Sequence, residues 1–311
     1  MRAVVVDPAA PGRLNIQQVE EPQPAPSEAL VRVAAVSLNR GEVRGAQSAE
    51  AGRRIGWDVA GTVERAAADG SGPRAGARVV GLLGTGGWAE RVAVPTHALA
   101  VLPDAVSFAQ AATLPVAGLT ALYALEHGGL LLGRSVLITG ASGGVGVYAV
   151  QLARAAGARV VGAVGRAASE GAARAAGAHE VVSGADLSEA ARFGPFHLIL
   201  ESVGGETLAG ALALLEQGGT CVSFGVAAQP AVTFDARRFY GSGATLYGFL
   251  LFEEVKRQPA AQGLVRLVRL VAEGRLKPRI EVEAPWTEVG AVAQRLLDRR
   301  FAGKAVLTVG E

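Results

Sequence analysis

An α/β chain of two domains is predicted, the first β-rich and antiparallel, the second built on a doubly wound parallel sheet. Three observations predict it. The 311 residues exceed the roughly 250 to 300 at which a single core stops growing. Near residue 130, short strands punctuated by Gly and Pro give way to strands and helices in alternation, the rhythm of βαβ units. Where that alternation begins, an apolar strand runs into a glycine-rich turn and then a helix.

Hydrophobic residues make up 50% of the chain and charged residues 19%, which suits a sizeable core and leaves little room for extended disorder. The 30 Lys and Arg nearly balance the 28 Asp and Glu. They are scattered rather than gathered into runs that grip a phosphate backbone, so no nucleic-acid partner is expected. No uncharged apolar run reaches the roughly 18 residues of a membrane span, and Met1-Arg2-Ala3-Val4-Val5-Val6-Asp7 enters a strand pattern directly. A cytoplasmic protein without membrane association is the expectation. Cys221 is the only cysteine, which excludes an internal disulfide and a multi-cysteine zinc site within the chain. Inside an apolar strand, it is expected to be inert.

In the first part, β-type runs at 2–6, 29–35, 61–64, 78–81 and 89–94 alternate with turns, which reads as an antiparallel β domain. A helical stretch over 108–126 contains Pro115, which is expected to break or kink it. Strands then follow at 135–139, 159–164, 180–182, 196–201, 220–224 and 245–251, with helices at 145–156, 170–176, 187–192 and 206–216. About six strands in this order match a doubly wound sheet. The last segments are a helix at 264–273, a turn at Lys277-Pro278, a helix at 288–299 and a strand at 304–309, all assigned to the first domain. The domains are therefore placed at 1–114 with 246–311, and at 115–245.

The strand Ser135-Val136-Leu137-Ile138-Thr139 runs into Gly140-Ala141-Ser142-Gly143-Gly144-Val145-Gly146. At such a turn glycine lets the main chain approach a diphosphate, which is received by free N–H groups and the positive end of the helix dipole. Phosphate oxygens are expected over Ser142, Gly143, Gly144 and Val145. Ala141 occupies the first glycine position of G-x-G-x-x-G; a glycine turn that merely packs helix on sheet is the bland alternative, and the flanking βαβ series outweighs it. About twenty residues past Gly146, where NAD enzymes place an acid against the ribose hydroxyl, the chain has Gly165-Arg166. Arg166 suits the extra phosphate of NADP, at about 1.5 to 3 kcal/mol for a charge-assisted bond.

With both halves placed, several segments stand in a telling order: Ser37-Leu38-Asn39, Gly56-Trp57-Asp58-Val59-Ala60-Gly61, Gly87-Trp88-Ala89-Glu90, Gly118-Leu119-Thr120-Ala121, the glycine turn, Glu201-Ser202-Val203-Gly204-Gly205, Ser223-Phe224-Gly225 and Gly303-Lys304-Ala305-Val306-Leu307. Through them the chain resembles, nearly end to end, the zinc-free quinone oxidoreductase branch of the medium-chain dehydrogenase/reductase superfamily. The resemblance implies a GroES-like catalytic domain made from both chain ends, a Rossmann domain between them, NADPH in a cleft, and a homodimer. It implies hydride transfer to a small-molecule acceptor, a quinone or an α,β-unsaturated carbonyl. By position in the family, Asn39 contacts the nicotinamide or the substrate carbonyl, Thr120 lies near the phosphates, and Gly165 and Ser183 meet the adenosine end. Val203 and Gly204, Phe224 and Gly225, and Phe249, Leu250 and Leu251 correspond to loops at the carboxyl ends of strands, with Lys304 toward the nicotinamide. In zinc relatives a Gly-His-Glu segment stands where this chain has Gly56-Trp57-Asp58, and the four histidines form no i, i+4 pair, so no metal is expected.

One departure bears on the acceptor: Arg44 stands where relatives often carry a tyrosine near the nicotinamide. Arg44, Tyr247 and Glu42 are the candidates to polarise or protonate the acceptor, and Trp57, Trp88, Tyr247 and Phe249 are candidate aromatic walls, each with an ordinary core reading beside it. Two other functions stay open: an enoyl reductase of a biosynthetic pathway, and a low-turnover NADPH-binding sensor or structural protein. A short-chain dehydrogenase is set aside, because no tyrosine is followed by lysine at the spacing of its Tyr-x-x-x-Lys pair.

Overall fold

The computed structural model describes residues 1–310. In chain order the strands are β1 Arg2–Val6, β2 Leu14–Gln18, β3 Glu28–Leu38, β4 Asp58–Arg65, β5 Arg78–Leu82, β6 Arg91–Pro95, β7 Leu99–Val101, β8 Ser135–Thr139, β9 Arg159–Val164, β10 Glu180–Ser183, β11 Phe196–Glu201, β12 Leu215–Ser223, β13 Thr245–Gly248, β14 Ile280–Pro285 and β15 Lys304–Thr308. The α-helices are α1 Arg40–Ala46, α2 Phe108–Ala112, α3 Leu119–Glu126, α4 Gly144–Ala155, α5 Glu170–Ala175, α6 Gly205–Ala213, α7 Ala236–Gly241, α8 Leu251–Arg257, α9 Ala260–Ala272 and α10 Val289–Leu297. They fall into two compact units, Met1–Leu119 with Val255–Glu311, and Thr120–Glu254.

The first unit carries a seven-stranded sheet in the order β14-β15-β3-β4-β5-β7, with β6 also paired to β3, and a separate β1-β2 hairpin. Its pairings are antiparallel apart from β14 with β15, which is parallel. The eleven-residue β3 is the spine: it takes β4 and β6 along its length and β15 at its end, with Ala305 opposite Leu38. The last strand of the chain thereby completes a sheet begun near the first. Gly61 allows β4 to lie close on β3, since a Cβ there would stand 2.1 Å from the Arg32 carbonyl oxygen.

The second unit is a six-stranded, wholly parallel sheet in the order β10-β9-β8-β11-β12-β13. Its order reverses between β8 and β11, the place where doubly wound sheets bind ligands outside the strand ends. Leu137, Val161, Phe196, Ile199 and Cys221 are fully buried within one apolar cluster. Burial pushes the Cys221 thiol well above its ordinary pKa, leaving a small hydrophobe rather than a nucleophile.

Several expectations need correction. The first boundary lies at Leu119/Thr120 rather than 114/115. Pro115 splits the 108–126 stretch into α2, a π turn over Leu114–Gly118 and α3. That turn packs on β4, β5 and α9, and a Cβ on Gly118 would come within 2.9 Å of Leu267. The second boundary lies at Glu254/Val255 rather than 245/246, because β13 completes the parallel sheet against β12. The predicted helix at 187–192 is a 3₁₀ turn over Ser188–Phe193. The helix predicted to 216 stops at Ala213, and Leu215 already pairs with Phe196 of β11. The elements β2, β7, β14, α1, α7 and α8 were not expected.

Phe196 is a large, fully buried side chain of the second unit. Phe196→Ala is expected to destabilise that unit by about 3 to 5 kcal/mol, read from urea unfolding.

Candidate active site

The glycine turn follows from local sterics. Gly140 has φ +59°, a left-handed conformation that glycine adopts without strain. The Gly143 amide donates to the Gly140 carbonyl at 2.8 Å and closes the turn. Val147 donates to Gly143 at 3.0 Å, so the amides of Gly144, Val145 and Gly146 precede the first bonded turn of α4 and lack a helical partner. A Cβ on Gly146 would lie 2.2 Å from the Gly140 carbonyl oxygen, so α4 seats on the turn only because that residue is glycine. Ala141, the departure from the glycine pattern, is fully buried, and its methyl faces Gly162 of β9, where a Cβ would approach it to 3.0 Å. The space given up at position 141 is recovered on the neighbouring strand. Ser142 to Val145 stay partly exposed, a bare main-chain cradle that fits a diphosphate.

Around it lie the other strand ends of the same unit. Gly165 and Arg166 follow β9 and are exposed; Ser183 ends β10 in register with Val164, so the two segments are neighbours. Val203 and Gly204 follow β11, Phe224 and Gly225 follow β12, and Phe249, Leu250 and Leu251 follow β13. Thr120 is buried in α3.

Glu201, which sequence reasoning did not single out as a site residue, organises the loop after β11. Its buried carboxylate accepts from the amides of Val203 at 2.6 Å and Gly204 at 3.1 Å and from the Thr139 hydroxyl at 3.3 Å. Burial raises its pKa, with these bonds opposing. The Thr139 oxygen in turn accepts from the Ser202 amide at 2.9 Å, joining the end of β8 to the end of β11. Ala227 and Ala228 donate to the carbonyls of Ser202 and Val203 at 3.0 and 2.8 Å. The available signal was an acid closing an otherwise apolar strand.

Tyr247 is not a free acid: its hydroxyl donates to Glu254 Oε1 at 2.5 Å, and its ring lies 4.0 Å from that of His127.

In the first unit, a buried polar cluster forms where β3, β4, β15 and the start of α1 meet. Asp58, fully buried, accepts from the Ser37 hydroxyl at 2.7 Å, from Asn39 Nδ2 at 2.7 Å and, through its other oxygen, from the Val116 amide at 2.9 Å. Lys304, 3% exposed, donates to the Leu38 carbonyl at 3.0 Å, Asn39 Oδ1 at 2.5 Å and Asp58 at 3.3 Å. Three acceptors match the three donors of an ammonium. Lys304, expected toward the nicotinamide, is thus a positioning residue that fixes Asn39. Both Asn39 Nδ2 donors are also engaged, with Asp58 and with Glu42 Oε1 at 3.0 Å. Arg44 sits further along α1 and is exposed. Trp88 is fully buried beneath Gly56, where a Cβ would stand 2.4 Å from its ring, so it walls the core rather than a pocket; Trp57 lies against Gly41.

Glu42 completes the cluster. Burial first, then the Asp58 charge, lift its carboxyl well above the ordinary range. Oε1 already accepts from the Asn39 amide at 2.7 Å and from its side chain, while Oε2 is buried without a partner among the described residues. Among the described residues no group of three or more His, Cys, Asp or Glu stands close enough to hold a metal, and no helix is long and apolar enough to cross a membrane.

Two family models match the chain: an alcohol dehydrogenase GroES-like domain over residues 25–104 and a zinc-binding dehydrogenase domain over 144–268. A chloroplast envelope quinone oxidoreductase homolog of Arabidopsis thaliana is 31% identical over 330 residues, covering 99% of this chain and 98% of that protein. The chain belongs to the quinone oxidoreductase branch of the medium-chain dehydrogenase/reductase superfamily. It is therefore an oxidoreductase of GroES-like and Rossmann architecture. The native structure of mycobacterial Rv1454c complexed with NADPH matches with a TM-score of 0.89 at 26% identity, over 99% of this chain and 100% of that one. The spectinabilin polyketide synthase system protein NorB of Streptomyces orinoci is 36% identical over 295 residues, 92% of this chain, yet the chain spans only 13% of that protein's length.

The raised pKa of Glu42 sets the sign of a pH dependence. A raised folded-state pKa contributes stability below the unfolded value near 4.5, and that contribution is lost as pH climbs through the folded value. Glu42→Gln keeps the Oε1 acceptor and does not titrate. Its stability relative to the parent is expected to rise from pH 4 to pH 8, by about 1.4 kcal/mol for each unit of raised pKa, as measured by urea melts across that range.

Proposed function

We propose that this protein is an NADPH-dependent reductase that transfers hydride to a quinone or an α,β-unsaturated carbonyl compound without zinc. The observation that carries the cofactor choice is Arg166, exposed just past the end of β9 on the rim of the glycine-turn unit, at the position where an acid would select NAD. The similarity to an NADPH-complexed structure supports the same choice. When bound, NADPH supplies a hydride to an electrophilic carbon.

The residues of the chain divide the remaining work. Ser142, Gly143, Gly144 and Val145 receive the diphosphate on main-chain amides; Arg166 takes the 2′-phosphate, with Gly165 and Ser183 at the adenosine end and Thr120 near the phosphates. The strand-end loops of Val203-Gly204, Phe224-Gly225 and Phe249-Leu250-Leu251 hold the rest of the cofactor. Asn39 orients the reacting end, held by Lys304 and Asp58, and Arg44 is the exposed cation nearest to it on α1. Positioning of this kind accounts for most of the rate. A conjugated acceptor suits a site whose donor set offers Trp57 where zinc relatives offer histidine, because its own carbonyl delocalises the charge that a metal would otherwise stabilise. Water supplies the proton, since Glu42 Oε2 is buried and the Tyr247 hydroxyl is engaged.

A second reading, enoyl reduction within a biosynthetic pathway, is favoured by the 36% identity to NorB. Assays of NADPH and NADH oxidation with quinones, enones and enoyl thioesters test both readings; no turnover with any acceptor despite tight NADPH binding would overturn both. In the same assay, Arg166→Gln is expected to raise the KM for NADPH about ten- to hundredfold and to leave that for NADH nearly unchanged.

A further inference from the structure

In the second unit β8 and β11 lie side by side, and the loops that follow them treat their main chain in opposite ways. The turn after β8 leaves the amides of Gly144, Val145 and Gly146 without a helical partner. In the loop after β11 every amide from Ser202 to Gly204 is engaged. Ser202 donates to the Thr139 hydroxyl at 2.9 Å, Val203 to Glu201 Oε1 at 2.6 Å, and Gly204 to both oxygens of the same carboxylate at 3.1 and 3.2 Å. The carbonyls of Ser202, Val203 and Gly204 accept from Ala227, Ala228 and Leu208 at 3.0, 2.8 and 3.3 Å. The chain enters α6 through Gly204 and Gly205, with φ +79° and +54°, much as a glycine-lined anion cradle does. Here the anion comes from within: Glu201 is buried, and the positive end of the α6 dipole favours its carboxylate. What the loop has left to offer is side chain. Ser202 and Val203 are both partly exposed, and Ser202 reaches the glycine turn, where a Cβ on Gly140 would stand 2.8 Å from its hydroxyl oxygen.

The sheet runs in the order β10-β9-β8-β11. A dinucleotide with its diphosphate on the turn after β8, and its adenosine end toward Arg166 and Ser183 after β9 and β10, carries its other half over the end of β11. We propose that Glu201 is a positioning residue that decides which part of the cofactor this loop takes: by filling the amides at the start of α6 it denies them to phosphate, and it fixes Ser202 and Val203 for the uncharged dihydronicotinamide riboside of NADPH. A loop held in place beforehand does not have to be ordered when the cofactor arrives. The gain is therefore confined to ligands that reach past the diphosphate. The inference rests on the NADPH reading above and deepens it.

The test uses two ligands, NADPH and adenosine 2′,5′-bisphosphate, which has the adenosine end but no nicotinamide riboside. Calorimetry gives the Kd of each on the parent protein, on Glu201→Gln and on Thr139→Val, which replaces the hydroxyl joining the Ser202 amide to the carboxylate by a methyl group. Glu201→Gln is expected to weaken NADPH binding about ten- to hundredfold and Thr139→Val about three- to tenfold, while both bind adenosine 2′,5′-bisphosphate within about twofold of the parent. In the free protein, the Val203 and Gly204 amides of Glu201→Gln are expected to exchange hydrogen about tenfold faster or more, with β8 and β11 unchanged. If Glu201→Gln does not fold, Thr139→Val carries the comparison. Equal losses for the two ligands would mean a carboxylate that only supports the fold, and NADPH affinity kept in both variants would mean a loop that does not meet the nicotinamide half; either overturns the proposal. A parent that binds neither ligand is a different failure, which removes the cofactor reading and takes this inference with it.

Discussion

The first unit depends on an ion pair that solvent scarcely reaches. Lys304 and Asp58 lie 3.3 Å apart with side chains 3% and 0% exposed, and each is satisfied by further hydrogen bonds, as a buried charge must be. Through them the final strand is joined to the end of β3, the start of β4 and the π turn at Val116. Two stretches of chain separated by most of the sequence become one sheet, and Asn39 is held from three sides within it. Burial and the neighbouring Asp58 charge both raise the Glu42 carboxyl well above its ordinary range, which disfavours a second negative charge in the cluster.

The second unit solves a different problem, how to present bare main chain to an anion without unravelling. Glycine at 140 supplies the left-handed bend and glycine at 146 lets the helix close on it. The Glu201 carboxylate gathers the amides that begin the loop after β11, and Thr139 ties that loop to the strand preceding the turn. The rigidity of the turn and its neighbouring loop thus comes from side chains beneath them, leaving the turn's own amides open. One unit thus supplies a rigid main-chain platform and the other a fixed polar centre.

Much of this was legible in the sequence, and the gaps have physical causes. The parallel strands β8, β9 and β11 are continuous apolar runs and were found within a residue or two, and the glycine turn declared itself through flanking periodicity. Elements with weak periodicity were missed: β7 is only three residues long, and α1 is seven residues long with two glycines. Family register singled out Asn39 and Lys304 separately and suggested Glu42. It could not reveal that Lys304 and Asp58, 246 positions apart, satisfy each other, nor that Asn39 would therefore have no free amide. The role of Glu201 was hidden for the same reason, since its partners are main-chain amides, which carry no mark in a sequence.

The most direct test of the account is a double-mutant cycle on Asp58 and Lys304, read by urea unfolding of the first unit. Asp58→Asn and Lys304→Met should each cost about 3 to 5 kcal/mol by stranding a buried partner. The double variant should lose less than the sum, with a coupling of at least about 2 kcal/mol. Costs that add to within about 0.5 kcal/mol would contradict the claim that this pair holds the two ends of the chain together.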